Sequence, residues 1–209
     1  MPDSSIPITG RKSAYVSKNR LALIRATQEV LAKQGPSSTV EMVAAHAEIA
    51  ISTIYKHFPN KDLLFKAAYL AGFAEWEDWA ISKVTQTADP YEKLVFPIRL
   101  AMKVPQTHPM FAQTIALDSG TFLSLVPQMK LGLDLEAVSL KSKNLIRVED
   151  LNLRVKNLKM ILALTLIELC SNPEFTEEEA LAGISVALEI LGLTTKQIEK
   201  LMSAPLPEF

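Results

Sequence analysis

Apolar residues recur along this chain with the spacing of helices, and the strict alternation of strands hardly appears. Leu23, Ile24, Thr27, Val30 and Leu31 keep a 3.6-residue period, with Ser17 placed to cap that helix and Gly35-Pro36 to end it. Ser38-x-x-Glu41 has the form of a capping box, in which hydroxyl and carboxylate each accept an orphan N–H, and predicts a second, short helix over about 39–46. A break at Ala47-Glu48-Ile49 leads to a third over about 50–57. Phe58-Pro59-Asn60 reads as a loop, with Asn60 capping a long fourth helix from Lys61 to about Val84. Asp89-Pro90 opens a fifth, since proline at the first helical position gives up an N–H that has no partner anyway. Pro97, Pro105, Pro109 and Pro127 then divide the middle into two or three helices, and Lys141–Arg147 stays ambiguous. Two clear helices follow, over about 150–171 and 176–192, the latter with the box Thr176-x-x-Glu179. A last one runs from Thr194, with Thr194-x-x-Gln197, to about Met202. The pattern predicts an all-α fold of about nine or ten helices.

Composition sharpens that picture. With 209 residues, 48% of them hydrophobic, the chain is long enough to build a core without disulfides or a structural metal. Seven glycines are too few for Gly-rich phosphate loops or a many-stranded barrel. A single cysteine, Cys170, cannot form an internal disulfide and fits a reducing compartment. The polar opening MPDSSIPITGRK has no signal-peptide core, and the densest apolar stretch, Met160–Leu169, is too short to span a membrane. A soluble, cytoplasmic protein without a membrane partner is expected. The net charge of −1 hides an asymmetry: residues 1–66 hold nine lysines and arginines against five acids, and the remaining 143 hold 13 against 18. A basic N-terminal third on an acidic body is the footprint of a part that faces a polyanion, although charge runs are also ordinary solvated surface.

The segment 38–66, STVEMVAAHAEIAISTIYKHFPNKDLLFKA, carries the chemistry. Two short helices joined by a three-residue turn, after a longer helix, form a helix-turn-helix pattern. Val40, Val43, Ala44, Ala47, Ile49 and Ile54 supply the small or apolar crossing, and Ser52, Thr53, Tyr55, Lys56 and His57 supply a polar, basic outer face. Thr39, Val40, Val43, Ala44, Ala47, Ile49, Thr53, Ile54, Tyr55, His57, Phe58, Lys61, Asp62 and Leu64 match or conservatively replace, without a gap, the pattern T-V-x-x-I-A-x-x-A-G-V-S-x-x-T-L-Y-x-H-F-x-x-K-E-x-L. This stretch closely resembles the DNA-binding domain of the tetracycline-repressor (TetR) family of bacterial regulators. The strong likeness covers 17–66, with faint echoes at Asp89-Pro90 and His108-Pro109.

The resemblance implies a flexible arm over 1–16, a helix-turn-helix domain over 17–66 whose last helix continues to about 84, and a helical effector-binding and dimerisation domain over 67–209. It implies double-stranded DNA as partner, with Thr39, Tyr55, His57 and Lys61 on the phosphate backbone and Ser52, Thr53 and Lys56 reaching base edges. Lys61 opens a helix, where the dipole disfavours a cation, so a phosphate partner explains it better than stability does; a solvated lysine is the alternative. Arg11, Lys12 and Lys18 of the arm either reach the DNA or belong to a free tail. Two positions depart from the pattern: Glu48 replaces the turn glycine and Ala50 the capping serine. Ile51 stands where the family is polar and outward; either it packs on a thymine methyl or it is partly buried in its own domain.

For the rest of the chain the resemblance implies a homodimer formed by the last two long helices. Leu151, Val155, Leu158, Leu162 and Leu166 form one stripe, widened by Met160, Ile161, Leu164 and Ile167; Leu181, Ile184, Leu188 and Leu191 form another, with Val186 and Ile190 on a second face. The two stripes are the expected interface, because a helix apolar on two faces must be buried on both; a core within one chain is the alternative. The resemblance also implies a pocket for a small apolar or aromatic effector, for which Phe73, Trp76, Phe96, Arg99, Met102, His108, Met110, Phe111, Phe122 and Met129 are the candidate lining. Effector occupancy would release the DNA, making the protein a repressor; a ligand-independent DNA binder or a protein adaptor is the alternative. Catalysis is not expected. His46, His57 and His108 have no metal spacing, Cys170 has no activating cation beside it, and no nucleotide-binding or nucleophile motif is present, so neither metal nor cofactor is implied.

Overall fold

Thr9 to Val16 contain no proline, and the first helix runs straight through them. The structure, a computed structural model, describes residues 8–128 and 132–207, with side chains over 18–127 and 132–207. Helix α1 spans Ile8–Gln34, so Ser17 lies inside it rather than capping it, and the helical spacing begins nine residues ahead of the expected start. Serine within a helix costs only a few tenths of a kcal/mol, too little to end one. Arg11 and Lys12 lie on this early part of α1, and their side chains fall outside the described residues.

The chain divides after Ala68 into two units. In the first, α1 packs on α2 (Val40–His46), and α2 on α3 (Ile51–His57). Leu23, Ile24, Val30 and Leu31 of α1 are buried with Val43, Ala44, Ile54, Phe58 and Leu64, each aliphatic side chain contributing roughly 1.5–3 kcal/mol. Thr27, fully buried, donates its hydroxyl to the Leu23 carbonyl at 2.7 Å, so its polar atom costs little in the core. Gly35, with φ of 52°, ends α1 as its sequence position predicts. Helix α4 (Lys61–Val84) starts in this unit, capped by Asn60 Oδ1, which accepts the Leu63 N–H at 2.9 Å.

The second unit holds the rest of α4 and eight more helices: α5 (Pro90–Ala101), α6 (Val104–Thr107), α7 (Pro109–Leu117), α8 (Ser119–Leu125), α9 (Gly132–Ser142), α10 (Leu151–Ser171), α11 (Glu177–Leu188) and α12 (Thr195–Ser203). Helix α10 is the hub, packed against α7, α8, α9 and α11, while α5 packs on α9 and α12. Asp89 caps α5 through the Tyr91 N–H at 2.8 Å, and both predicted boxes, Thr176 with Glu179 and Thr194 with Gln197, are formed. The proline reading fails at one position: Pro97 sits inside α5. The lost hydrogen bond to Lys93 is tolerated because Ile98, Arg99 and Leu100 beyond it are buried and hold the helix in place. Between α5 and α10 four helices stand where two or three were expected, and α9 gives way to a turn at Asn144 in the ambiguous stretch. The described residues form twelve α-helices and no strand.

Candidate nucleic-acid interface and effector cavity

The turn between α2 and α3 closes as a glycine-type helix end, although no glycine is there. The Ile49 N–H reaches the Ala44 carbonyl at 3.0 Å and the Glu48 N–H the Ala45 carbonyl at 3.3 Å, which requires the residue between to be left-handed. Glu48 obliges with φ of 54°, at a cost of roughly 1 kcal/mol. Ala50 then starts α3 with no side-chain cap. The cap of α2 is Thr39 rather than Ser38: Thr39 Oγ1 accepts the Met42 N–H at 3.2 Å, while Ser38 is buried and turned towards the Val30 carbonyl. Glu41 is held below the usual carboxylate range by its own backbone N–H first and by the Thr39 hydroxyl second. The predicted capping box is therefore not formed: Ser38 is buried, and Thr39 caps α2 alone.

Ile54 is the anchor of α3, buried beside Phe58, and it decides which residues face out. Ser52 and Lys56 are exposed, Tyr55 is 46% exposed, and Ile51, at 38%, is exposed rather than buried in its own domain. Thr53 and His57 are half-buried, and Thr53 borders a cleft against Ala22 and Ala26 of α1. Lys61 is half-buried, its Nζ 4.8 Å from the centre of the Phe65 ring, and Lys18 is exposed. Sequence spacing gave no sign of three further features. Met42 is exposed on α2, Arg20 lies 4.7 Å over Phe58, and His46 Nε2 meets Glu29 Oε2 at 2.6 Å with Arg25 also beside that carboxylate. The hydrogen bond from His46 is the main cause that lowers the Glu29 pKa. These partners sit on different helices, and no local motif connects positions 29 and 46.

The second unit carries a half-open cavity of about 390 Å³, near the lower end of small-molecule sites. Of the candidate lining residues, Phe73, Trp76 and Phe122 border it. Six other candidates do not, because the helices turn them elsewhere. Arg99 donates to the carbonyls of Leu201 at 2.8 Å and Ala204 at 2.7 Å, closing the C-terminal end of α12, and lies over the buried Phe96 ring. Met102 is core, Phe111 packs edge-on against Phe122, and Met110 is half-buried away from the cavity. His108 stacks edge-on with Trp79, and burial lowers its pKa. Met129 lies outside the described residues. The wall is completed by residues the sequence did not single out, among them Ala80, Leu94, Ile98 and Ala163, together with Lys93, Glu77, Glu136 and Lys159.

The expected interface stripes point inward. Leu151, Val155, Leu158, Leu166, Ile184, Leu188 and Leu191 are buried in the chain's own core, Leu162 lines the cavity with Leu166, and Leu181 is half-buried. The apolar face left outward is the other one: Leu153 at 57%, Leu164 at 54% and Val186 at 69% exposure, flanked by half-buried Met160, Ile167 and Ile190. Periodicity finds two faces on such helices but does not say which meets the core, and the neighbours of α10 settle it.

Among the described residues no three His, Cys, Asp or Glu side chains gather as metal ligands. Cys170 is pushed up to about 12 by burial, so its thiol stays protonated and unreactive at neutral pH. No described helix is long and apolar enough to cross a membrane.

Residues 23–68 match the family model of bacterial regulatory proteins of the tetR family. No curated protein matches the chain by sequence. Among solved structures, RolR in complex with resorcinol is 18% identical with a TM-score of 0.72, covering 94% of this chain and 98% of RolR. RolR without ligand is also 18% identical, with a TM-score of 0.73 over 90% of this chain and 98% of the other. A tetR-family transcriptional regulator from Streptomyces coelicolor is 17% identical with a TM-score of 0.54, over 87% and 88% of the two chains. Over most of its length the chain thus shares the all-α fold of these structures, and its residues 23–68 match the helix-turn-helix domain of the tetR family of bacterial regulatory proteins.

Proposed function

We propose that the protein is a homodimeric, effector-responsive repressor that binds a palindromic DNA site through α3 and leaves it when a small apolar or aromatic molecule fills the cavity. The observation that carries this reading is the outward face of α3, where Ile51, Ser52, Tyr55 and Lys56 stand free on a helix fixed from behind by Ile54. Lys56 and Ser52 have the chemistry for base edges, Tyr55 and Lys61 for phosphates, and Ile51 for a thymine methyl group. Thr39, with its hydroxyl engaged in the cap, offers the N-terminus of α2 to a phosphate. Half-buried Thr53 and His57 fit contacts at the margin of that face.

Two heads are needed to read a palindrome, and the outward stripe of Leu153, Leu164 and Val186 gives a second copy an apolar surface to cover. Ala182 and Gly183, both exposed on α11 near Val186, would let the helices approach closely. The effector reading rests on the cavity and on α4, one continuous helix whose first turns lie in the DNA-reading unit and whose later residues, Phe73 to Val84, line the cavity. RolR, of the same fold, has been solved with resorcinol, a small aromatic ring, which supports a ligand of that size. Selection of bound fragments from a randomised DNA pool at near-physiological salt tests the proposal. Enrichment of a palindrome is expected; binding that follows salt alone, without an enriched sequence, would overturn it.

A further inference from the structure

Asp118 joins α7 to α8 and holds both. Its N–H reaches the Thr114 carbonyl at 3.1 Å, closing α7, and its Oδ1 accepts the Thr121 N–H at 3.2 Å, capping α8. Its carbonyl oxygen serves two elements at once. That oxygen accepts the N–H of Phe122, which borders the cavity, at 3.2 Å, and the hydroxyl of Tyr69 on α4 at 3.3 Å. Tyr69 is 1% exposed, and burial first, with the Asp118 carboxylate second, raises its pKa, so the hydroxyl keeps its proton and donates. The place of Tyr69 along α4 matters as much. The first unit ends at Ala68, whose carbonyl accepts Nε2 of Gln28 from α1 at 3.4 Å, and Tyr69 is the first residue of the second unit. One turn further on, Phe73 borders the cavity. A wall residue of the cavity and the helix that continues into the DNA-reading unit therefore meet on one oxygen atom.

We propose that Tyr69 is a positioning residue for the effector response: its hydroxyl, bound to the Asp118 carbonyl, makes α4 follow α8 when a molecule in the cavity displaces Phe122. The inference rests on the effector reading and gives its transmission a residue. Such a bond couples two elements by penalising the mixed state, in which α8 has moved and α4 has not, because that state leaves a buried hydroxyl unpaired. When both have moved, or neither has, the bond is kept. Its loss therefore leaves each binding reaction alone nearly as it was and weakens the link between them.

Three full-length proteins are compared on the selected palindrome by fluorescence anisotropy, with and without saturating 1-naphthol, whose own binding is followed by calorimetry. Tyr69→Phe keeps the ring and removes only the hydroxyl. Tyr91→Phe is the control, since it removes a hydroxyl of the same kind, one that donates from α5 to the Leu145 carbonyl at 2.7 Å. Tyr69→Phe is expected to keep the affinities for DNA alone and for 1-naphthol alone within about twofold of wild type, and to shrink the effect of 1-naphthol on DNA affinity by about fivefold. Tyr91→Phe should leave that effect intact, which loosened packing in general would not. An undiminished effect in Tyr69→Phe, or an equal loss in both variants, would overturn the role of Tyr69 and leave the effector reading standing. Failure of 1-naphthol to bind the wild type, or binding that leaves its DNA affinity unchanged, would overturn the effector reading and this inference with it.

Discussion

The two units share one kind of imperfection and differ in another. In the DNA-reading unit the side chains are well packed around Ile54, Leu31 and Val43, and the weakness is in the backbone: Glu48 holds a glycine conformation and Ala50 leaves α3 uncapped. The second unit has such faults too, since Asn144 and Asp150 are left-handed and α10 starts uncapped, but Asp89, Asp118, Thr176 and Thr194 cap four of its helices and its helices surround an apolar cavity of about 390 Å³. A fault in a turn weakens a domain without giving anything to bind. A void lined by aromatic and aliphatic side chains costs stability that a ligand can restore. The difference fits the proposed division between a DNA reader and a body that binds a ligand.

The largest expected effect breaks the reader. Ile54→Ala removes the buried anchor of α3 and should cost about 2–5 kcal/mol, seen as a lower melting temperature and lost DNA binding. Filling the void tests the body. Ala163→Leu, at the cavity wall, should raise stability by about 1–2 kcal/mol and abolish binding of small aromatic compounds; a stable protein that still binds one would place the site elsewhere. Repairing the turn comes next: Glu48→Gly and Ala50→Ser should each stabilise the first unit by about 1 kcal/mol in urea unfolding.

The smallest effect concerns pH. The Glu29 carboxyl has a lowered pKa in the folded protein, so its contribution is present above its unfolded value and is lost as pH falls through the folded one. The pair with His46 is over a third exposed on the carboxylate side, so solvent screening limits the effect to about 0.5 kcal/mol or less. Glu29→Gln should flatten the acid limb of stability below the ordinary carboxylate range and leave the neutral region nearly unchanged. An unaltered acid limb would assign that limb to other carboxylates.

Most of the first unit could be read from its residues because its determinants are local. The turn at 47–49, the caps at Asn60 and Gly35 and the anchor Ile54 lie within a few residues of what they control, and the cost at Glu48 follows from one dihedral angle. The second unit resisted for a reason that Phe73 and Phe96 illustrate. Both are large and aromatic, yet one lines the cavity and the other is sealed under Arg99, a choice set by α12 more than a hundred residues away. The same holds for α10, where Leu158 and Leu164 look alike in sequence and only the packing of α7 and α11 sends one inward and the other out. Trp76 was legible as a candidate for its size, whereas the lack of a partner for its buried indole N–H among the described residues was not, since hydrogen bonding depends on what arrives from elsewhere in the chain.

The central claim is that reader and responder are thermodynamically coupled. Linkage tests it most directly: the affinity for the selected palindrome is measured with and without saturating ligand, and the affinity for that ligand with and without DNA. The account predicts a loss of about 5–150-fold in each direction, equal within error, because coupling between two binding sites is reciprocal. A ligand that occupies the cavity while both affinities stay unchanged would contradict it, and would make the protein a DNA binder whose cavity serves some other purpose.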